Sequence, residues 1–330
     1  MPKPAELSNI ESSDYVEEVV PMAEGMALYR LAENQSVVAA DFESDAVMAG
    51  TLDRISAYVE VDGKKRVRTD RKIEELRNEQ GGSCGVRIFG NKIISPEHCG
   101  IGEGHDLSLK DIAAFFNAAS SQKVSLTEGE GQLLNQLIAG GLLAGTKGRY
   151  LAPQRSALIG MSRSYEADER YDAFIHEYSH ALYFIDENFR AQVGQVWKSL
   201  RPEEQRFLKG ALIASIYTSA GQALIETEAQ AYAVGHPLSD DGLVPVMDAA
   251  DRNCSDHGQK IKAACNDFYS YRGNLRTLLR DLNRRYTEAF KRYIPYLGGE
   301  IFLGAPLVLN PVDAALTALQ LEFDKRHPED

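Results

Sequence analysis

The chain has 330 residues, a formal net charge of −12, and 44% hydrophobic and 25% charged residues. These proportions are typical of a soluble globular protein, and no apolar run is long enough to span a bilayer. Nucleic-acid binding depends on Lys and Arg, so the acidic balance argues against it. The N-terminus, Met1–Glu6, lacks the apolar centre of a signal peptide. Residues 1–25 are expected to be a poorly ordered lead-in.

Residues 26–150 are predicted to form an N-terminal α+β domain. Ala57–Val61 alternates enough for a strand, and a later hairpin is expected to turn at Gly90. Ser108 and Thr127 each precede apolar residues at helical spacing and are the expected N-caps of two helices. Winged-helix domains share this helix-helix-hairpin order, but few basic residues are present for phosphate contact, which favours a support domain.

Four cysteines form two sequence-local pairs, Cys84 with Cys99 and Cys254 with Cys265. Two disulfides would indicate an oxidising compartment, so we expect a secreted or periplasmic protein whose signal peptide is absent from this sequence. Four free thiols in a cytoplasmic protein are the alternative. The C-x-x-C spacing does not occur, which argues against a second zinc site built from cysteines.

Residues 173–182 contain the pattern H-E-x-x-H, formed by His176, Glu177 and His180. On a helix predicted over residues 169–188, histidines four positions apart project from one face and can share a zinc ion. Glu177 beside them can act as a general base on a water. The stretch is otherwise apolar, so we expect a buried helix whose three titratable groups require partners. A core helix with internally hydrogen-bonded histidines is the alternative.

This stretch resembles the active-site helix of the zincin metallopeptidases, strongly over ten residues and partially over residues 155–236. The resemblance implies a zincin-like catalytic domain over residues 151–330, with a mixed sheet, the active-site helix and a C-terminal helical part. The fold class expected for the whole chain is therefore α+β. The resemblance also implies bound Zn2+ and hydrolysis of peptide bonds in a peptide or protein substrate, with endopeptidase activity favoured. By the same resemblance, residues 156–162 are the sheet edge to which an extended substrate adds as another strand.

The third zinc ligand has two candidates. The run E-T-E-A-Q that begins at Glu226 is similar to the E-x-E-A-D run of several gluzincins, which implies Glu226 as ligand and Glu228 as the fallback. Gln230 replaces the Asp of that run and would accept a hydrogen bond from a ligand imidazole. Asp186 occupies the last position of the metzincin pattern, but Tyr183 replaces the glycine that lets the chain turn there.

Other titratable residues have weaker support. His236 and Tyr232 are the nearest donors, by sequence, for the oxyanion of a tetrahedral intermediate. A loop histidine and a packed tyrosine are the alternative interpretations. His98 and His105 lie in Gly-rich sequence and are expected to be solvated loop histidines. The C-terminal helix carries arginines at i,i+4 spacing, which we expect to meet the chain's own carboxylates.

Two alternatives to a general peptidase stay open. One is a catalytically inactive zincin-like binding or scaffold protein, against which the intact Glu177 argues. The other is an effector or toxin protease with a single target. No oligomeric state follows from these patterns.

Overall fold

The computed structural model describes most of the chain, namely residues 7–10, 25–32, 34–61, 67, 87–89, 92–94, 104–146, 148–165, 167–215, 222–234, 243–257, 261–271 and 273–290. The chain is mixed α+β and divides into two units, Met1–Ile185 and Asp186–Asp330. No helix in the described ranges combines the length and apolar character that crossing a membrane requires.

The first unit is built on a five-stranded mixed sheet whose strands are β1 Asn9–Ile10, β2 Met26–Leu31, β3 Val37–Phe42, β6 Gly104–Ser108 and β9 Ala157–Ser162. Their order across the sheet is β1-β2-β3-β9-β6. The central strands β3 and β9 are parallel, and β6 is antiparallel to β9. Both central strands are buried throughout, because each is covered on both faces. Two hairpins complete the strands: β4 Arg87–Phe89 with β5 Lys92–Ile94, and β7 Ala144–Thr146 with β8 Arg149–Leu151.

Helices cover the two faces of this sheet. One face packs on α1 Asp45–Ser56, α2 Leu109–Gln122 and α3 Glu128–Ala139 in a shared hydrophobic core. Phe42 and Leu158 enter this core from the central strands. The helix α4 Ala167–Ile185 packs on β6 and β9. Its residue Arg170 contacts Asp41, whose side chain points away from that of Phe42 because strand side chains alternate.

The two predicted helix N-caps are confirmed. The hydroxyl of Ser108 accepts a hydrogen bond from the backbone N–H of Asp111 at 3.1 Å, which caps α2. Thr127 and Glu130 form a reciprocal capping box at the start of α3. The hairpin expected at Gly90 is also confirmed, as β4 and β5.

One expectation for this unit was wrong. Ala57–Val61 is not a strand but a π-helical turn that continues α1. The reason is packing: Tyr58 is buried and its ring meets that of Phe115 edge to face, with centroids 5.8 Å apart. The sheet itself draws strands from both sides of residue 150, since β3 and β6 pair with β9.

The second unit is helical in its described part, with α5 Glu187–Ser199, α6 Pro202–Ser215, α7 Gln222–Val234, α8 Val244–His257, α9 Lys262–Tyr269 and α10 Leu275–Phe290. Helices α8 and α9 pack on α6, and α10 packs on α5 and α7. A disulfide links Cys254 of α8 to Cys265 of α9, as predicted. The other expected pair, Cys84 and Cys99, lies outside the described residues. Arg284 of α10 pairs with the chain's own carboxylates, as expected: Asp281 at 2.7 Å and Glu288 at 3.5 Å.

Candidate metal centre

Helix α4 presents His176 and His180 one turn apart on one face. Their Nε2 atoms lie 3.2 Å apart and their ring centroids 4.9 Å apart. Two nitrogens on one tetrahedral zinc, with Zn–N distances of about 2.05 Å, are separated by about 3.3 Å. The spacing fits a shared zinc ion, and it also fits a direct N–H···N hydrogen bond between the two rings.

The surroundings of the two histidines are largely apolar, as the sequence predicted. Phe174, Ile175, Ala181 and Leu182 are buried along the same helix. Within this setting His180 is 3% exposed and Glu177 is 7% exposed, while His176 is half-buried. Polar groups at this depth require hydrogen-bond partners or a metal ion, because desolvation without compensation is costly.

A carboxylate from α7 lies close to the two imidazoles. One ligand atom each from His176, His180 and Glu228 lie within 4.8 Å of one another. Glu228 is 6% exposed and sits on α7. Two imidazole nitrogens and one carboxylate oxygen form a ligand set typical of catalytic zinc, which keeps a fourth position for water.

Glu226, the third ligand that the sequence predicted, does not belong to this group of described residues; its fallback Glu228 does. The physical reason is helical geometry, since residues two positions apart lie about 200° apart around a helix axis. Glu226 instead lies near Tyr286 of α10. Burial of Tyr286, together with the negative charge of Glu226, raises the pKa of that tyrosine. Gln230, expected to support a ligand imidazole from the face of Glu226, is fully buried on α7.

Asp186 has a different role from the metzincin-type ligand considered above. Helix α4 ends at Ile185, and the Asp186 carboxylate accepts a hydrogen bond from the backbone N–H of Phe189 at 2.8 Å. It is therefore the N-cap of α5. We expected Tyr183 to extend the helix past Asp186 to residue 188, but the helix ends three residues earlier, at Ile185.

The remaining predicted residues fall in three different settings. Tyr232 is half-buried on α7, one turn after Glu228 and therefore on the same face. His236 and His98 lie outside the described residues. His105 is not a solvated loop residue, because it sits in β6 with only 6% exposure. The glycines around His105 suggested a loop, but this segment forms a strand because it pairs with the distant strand β9.

The sheet edge is also not where the resemblance placed it. Residues 157–162 form β9, which is an interior strand between β3 and β6. The edge strands of the described sheet are β1 and β6, and α4 packs against both β6 and β9. Which strand lies outermost depends on pairing between distant segments, and this cannot be read from the strand that precedes the helix.

One residue near the site escaped the sequence analysis altogether. Arg170 is fully buried near the start of α4 and contacts Asp41 and the backbone of Ser162. The sequence did contain a sign that Arg170 is buried. At helical spacing it shares a face with Phe174 and Glu177, on the apolar side of α4. A charged residue on such a face requires a buried partner.

Comparison with known proteins adds no relative. The chain matches no family model, no curated protein and no solved structure. Function is therefore inferred from the residues and their geometry.

Proposed function

We propose that the protein is a zinc-dependent peptidase of the zincin type, with the metal held by His176, His180 and Glu228. The observation that carries this proposal is the 3.2 Å separation of the two Nε2 atoms, with a Glu228 carboxylate oxygen within 4.8 Å. This ligand set replaces the one that the resemblance implied, with Glu228 in place of Glu226. The mixed sheet with an antiparallel edge strand and α4 packed across it is consistent with a zincin-like arrangement.

The chain's own residues would divide the chemistry. Zinc bound there would act as a Lewis acid and acidify a water in its fourth position. Glu177, next to His176 in sequence, would accept the proton of the attacking water and return it to the leaving amine. Tyr232 shares a helix face with Glu228, so its hydroxyl is the donor that we propose for the oxyanion. His236 is the alternative to Tyr232 as the donor to the oxyanion.

The substrate that best fits the site is an extended peptide. Strand β6 lies at the end of the described sheet, and α4 with its H-E-x-x-H pattern packs against it. A peptide that pairs with β6 as a further strand would place its backbone carbonyls beside α4. Backbone pairing depends little on side chains, which supports action on a polypeptide substrate.

The location proposed for the protein is an oxidising compartment, either extracellular or periplasmic. The disulfide between Cys254 and Cys265 supports it, because such bonds persist where thiols are not kept reduced. Labelling of free thiols in the native protein would test this. Two reactive thiols at these positions in freshly purified protein would favour the cytoplasmic alternative.

Metal analysis of two matched variants tests the ligand set. Glu228→Gln and Glu226→Gln change the same side chain two positions apart on α7. We expect about one zinc per chain in the wild type and in Glu226→Gln. Glu228→Gln and His180→Ala should lose more than about 100-fold in zinc affinity, because removal of an outer-shell partner alone costs about 10–100-fold. The reverse order for the two glutamates would restore Glu226 as the ligand. Absence of zinc from the wild type after reconstitution would overturn the proposal.

Hydrolysis of casein and of an internally quenched peptide tests the activity. Glu177→Gln should keep zinc and lose about 10²–10⁴-fold in kcat, because a general base contributes that much. Tyr232→Phe should keep zinc and lose about 10²-fold in kcat with little change in KM, as expected for an oxyanion donor. Full activity of Glu177→Gln would exclude the proposed mechanism.

A further inference from the structure

The most buried cation of the described first unit lies six residues before the H-E-x-x-H pattern. The side chain of Arg170 is 0% exposed. Its Nη1 donates a hydrogen bond to the backbone carbonyl of Ser162 at 2.7 Å, and its Nη2 lies 3.4 Å from Oδ1 of Asp41. Ser162 ends β9, and Asp41 lies next to the end of β3. One guanidinium therefore ties the start of α4 to the ends of two neighbouring strands.

The carboxylate of Asp41 is shared between two arginines. It is 2% exposed, and its other oxygen, Oδ2, accepts a hydrogen bond from Nε of Arg163 at 2.8 Å. A buried guanidinium is tolerated only where its charge and its N–H groups are matched, so Arg170 has few alternative positions. The planar guanidinium of Arg170 also restricts how α4 can be oriented on the sheet, since each N–H group must reach its own acceptor.

The same helix makes a second polar contact with the sheet further along. Asn34, which precedes β3, donates a hydrogen bond from Nδ2 to the Tyr178 hydroxyl at 3.2 Å. The Tyr178 ring stacks on Phe174 of the same helix, with centroids 5.5 Å apart. Arg170 and Tyr178 thus attach α4 near opposite ends of β3, with His176 between them in sequence.

We propose that Arg170 is a positioning residue for the metal centre, an inference that rests on the proposed function. The spacing of His176 from His180 is internal to the helix and does not need Arg170. The position of the pair along β9 and β6 is not internal, and a helix held only by apolar contacts can slide or rotate by fractions of an ångström. A site of this kind must hold its ligands within about 0.5 Å of the productive geometry. Arg170 supplies that constraint through hydrogen bonds that fix both the height and the rotation of α4.

A matched control exists on the other face of the same sheet. Arg54 of α1 is also buried, and its Nε lies 3.0 Å from Oε1 of the fully buried Glu130. Arg54→Met and Arg170→Met each remove a buried guanidinium from a buried carboxylate within the first unit. In Arg170→Met, Asp41 still has Arg163 as a partner. The control variant Arg54→Met is therefore expected to lower the stability of the protein at least as much as Arg170→Met does.

Two measurements test the inference, one of which does not depend on zinc. Hydrogen exchange of the metal-free protein should show amides of residues 174–182 exchanging about tenfold faster in Arg170→Met than in the wild type. Zinc affinity, measured by chelator competition, should fall about tenfold in Arg170→Met. Arg54→Met should leave zinc affinity unchanged and should not accelerate exchange at residues 174–182 more than elsewhere in the first unit. Arg170→Lys should be intermediate, because one ammonium cannot reproduce the fork that reaches both acceptors.

The outcomes separate this inference from the proposed function. If the wild type binds zinc and Arg170→Met matches it in both affinity and exchange, the inference is wrong and the proposed function stands. If both arginine variants accelerate exchange throughout the first unit equally, the effect is global destabilisation and the inference is also wrong. If the wild type binds no zinc, the proposed function fails, and faster exchange confined to α4 would still show that Arg170 positions this helix.

Discussion

The carboxylate of Asp186 accepts a hydrogen bond from the backbone N–H of Phe189 at 2.8 Å, immediately after the last residue of α4. This contact begins α5 and so sets the point at which the chain leaves the helix of the H-E-x-x-H pattern. A carboxylate at an N-cap also lies at the positive end of the helix dipole, which adds to its stabilising effect.

Asp186→Ala is expected to lower the free energy of unfolding by about 1 kcal/mol, because an orphan N–H of α5 loses its acceptor. Zinc content should not change. Asp186→Asn is the matched control and should cost little stability, since Asn caps helices about as well as Asp. Urea denaturation and metal analysis check both variants. Loss of zinc from Asp186→Ala with retention by Glu228→Gln would move the third ligand to Asp186.

Sequence reasoning succeeded where a structure depends on neighbouring residues. The N-caps Ser108 and Thr127 bond to amides three positions ahead, so a short window contains the whole interaction. It failed for Ala57–Val61, whose alternation suggested a strand. The conformation there depends on the contact of Tyr58 with Phe115, which is distant in the chain.

The candidate site shows the same division. His176 and His180 share one helix, so their 3.2 Å separation follows from the i,i+4 spacing and could be anticipated. The choice between Glu226 and Glu228 depends on how α7 is rotated about its axis. That rotation cannot be predicted from the spacing of the residues alone. The buried environment of Arg170 likewise depends on Asp41, which is far away in sequence.

Gly210 of α6 provides a test of the packing in the second unit. A Cβ at this position would lie 2.6 Å from the backbone oxygen of Ala264 and 2.6 Å from the backbone nitrogen of Phe268. Gly210→Ala is therefore expected to force α6 and α9 apart and to cost about 1–3 kcal/mol of stability.

The control for this test is Gly194→Ala in α5, where no described atom lies within 4 Å of the new Cβ. Alanine is the better helix former, so this variant should be stabilised by about 0.5–1 kcal/mol. Urea denaturation of the two variants should move in opposite directions. Equal effects would show that α6 and α9 do not approach each other closely in solution.

The disulfide between Cys254 and Cys265 closes a loop with a sequence separation of 11. By loop-closure entropy, a loop of this length stabilises the folded state by about 3 kcal/mol. Wild type treated with dithiothreitol should lose that amount and match the double variant Cys254→Ala/Cys265→Ala. The double variant should respond much less to the reductant. Cys84 and Cys99 are present in both proteins, so any contribution from them cancels in the comparison.

Tyr171 of α4 is expected to make stability fall at alkaline pH. Burial and the nearby charge of Asp172 raise the pKa of the Tyr171 hydroxyl to about 12, whereas an unfolded chain has a tyrosine pKa of about 10. The folded state therefore holds the proton more tightly than the unfolded state. The stability gained in this way is fully present below pH 10 and is lost as the pH rises towards 12.

Tyr171→Phe removes this titration and is the variant that tests it. The buried hydroxyl has no hydrogen-bond partner among the described residues, so at pH 7 the variant should be as stable as the wild type or slightly more stable. Above pH 10 the variant should lose stability less steeply, which urea denaturation at a series of pH values would measure. The other tyrosines titrate in both proteins and cancel in the difference. Parallel curves up to pH 12 would mean that the Tyr171 hydroxyl is exposed to solvent in the folded protein.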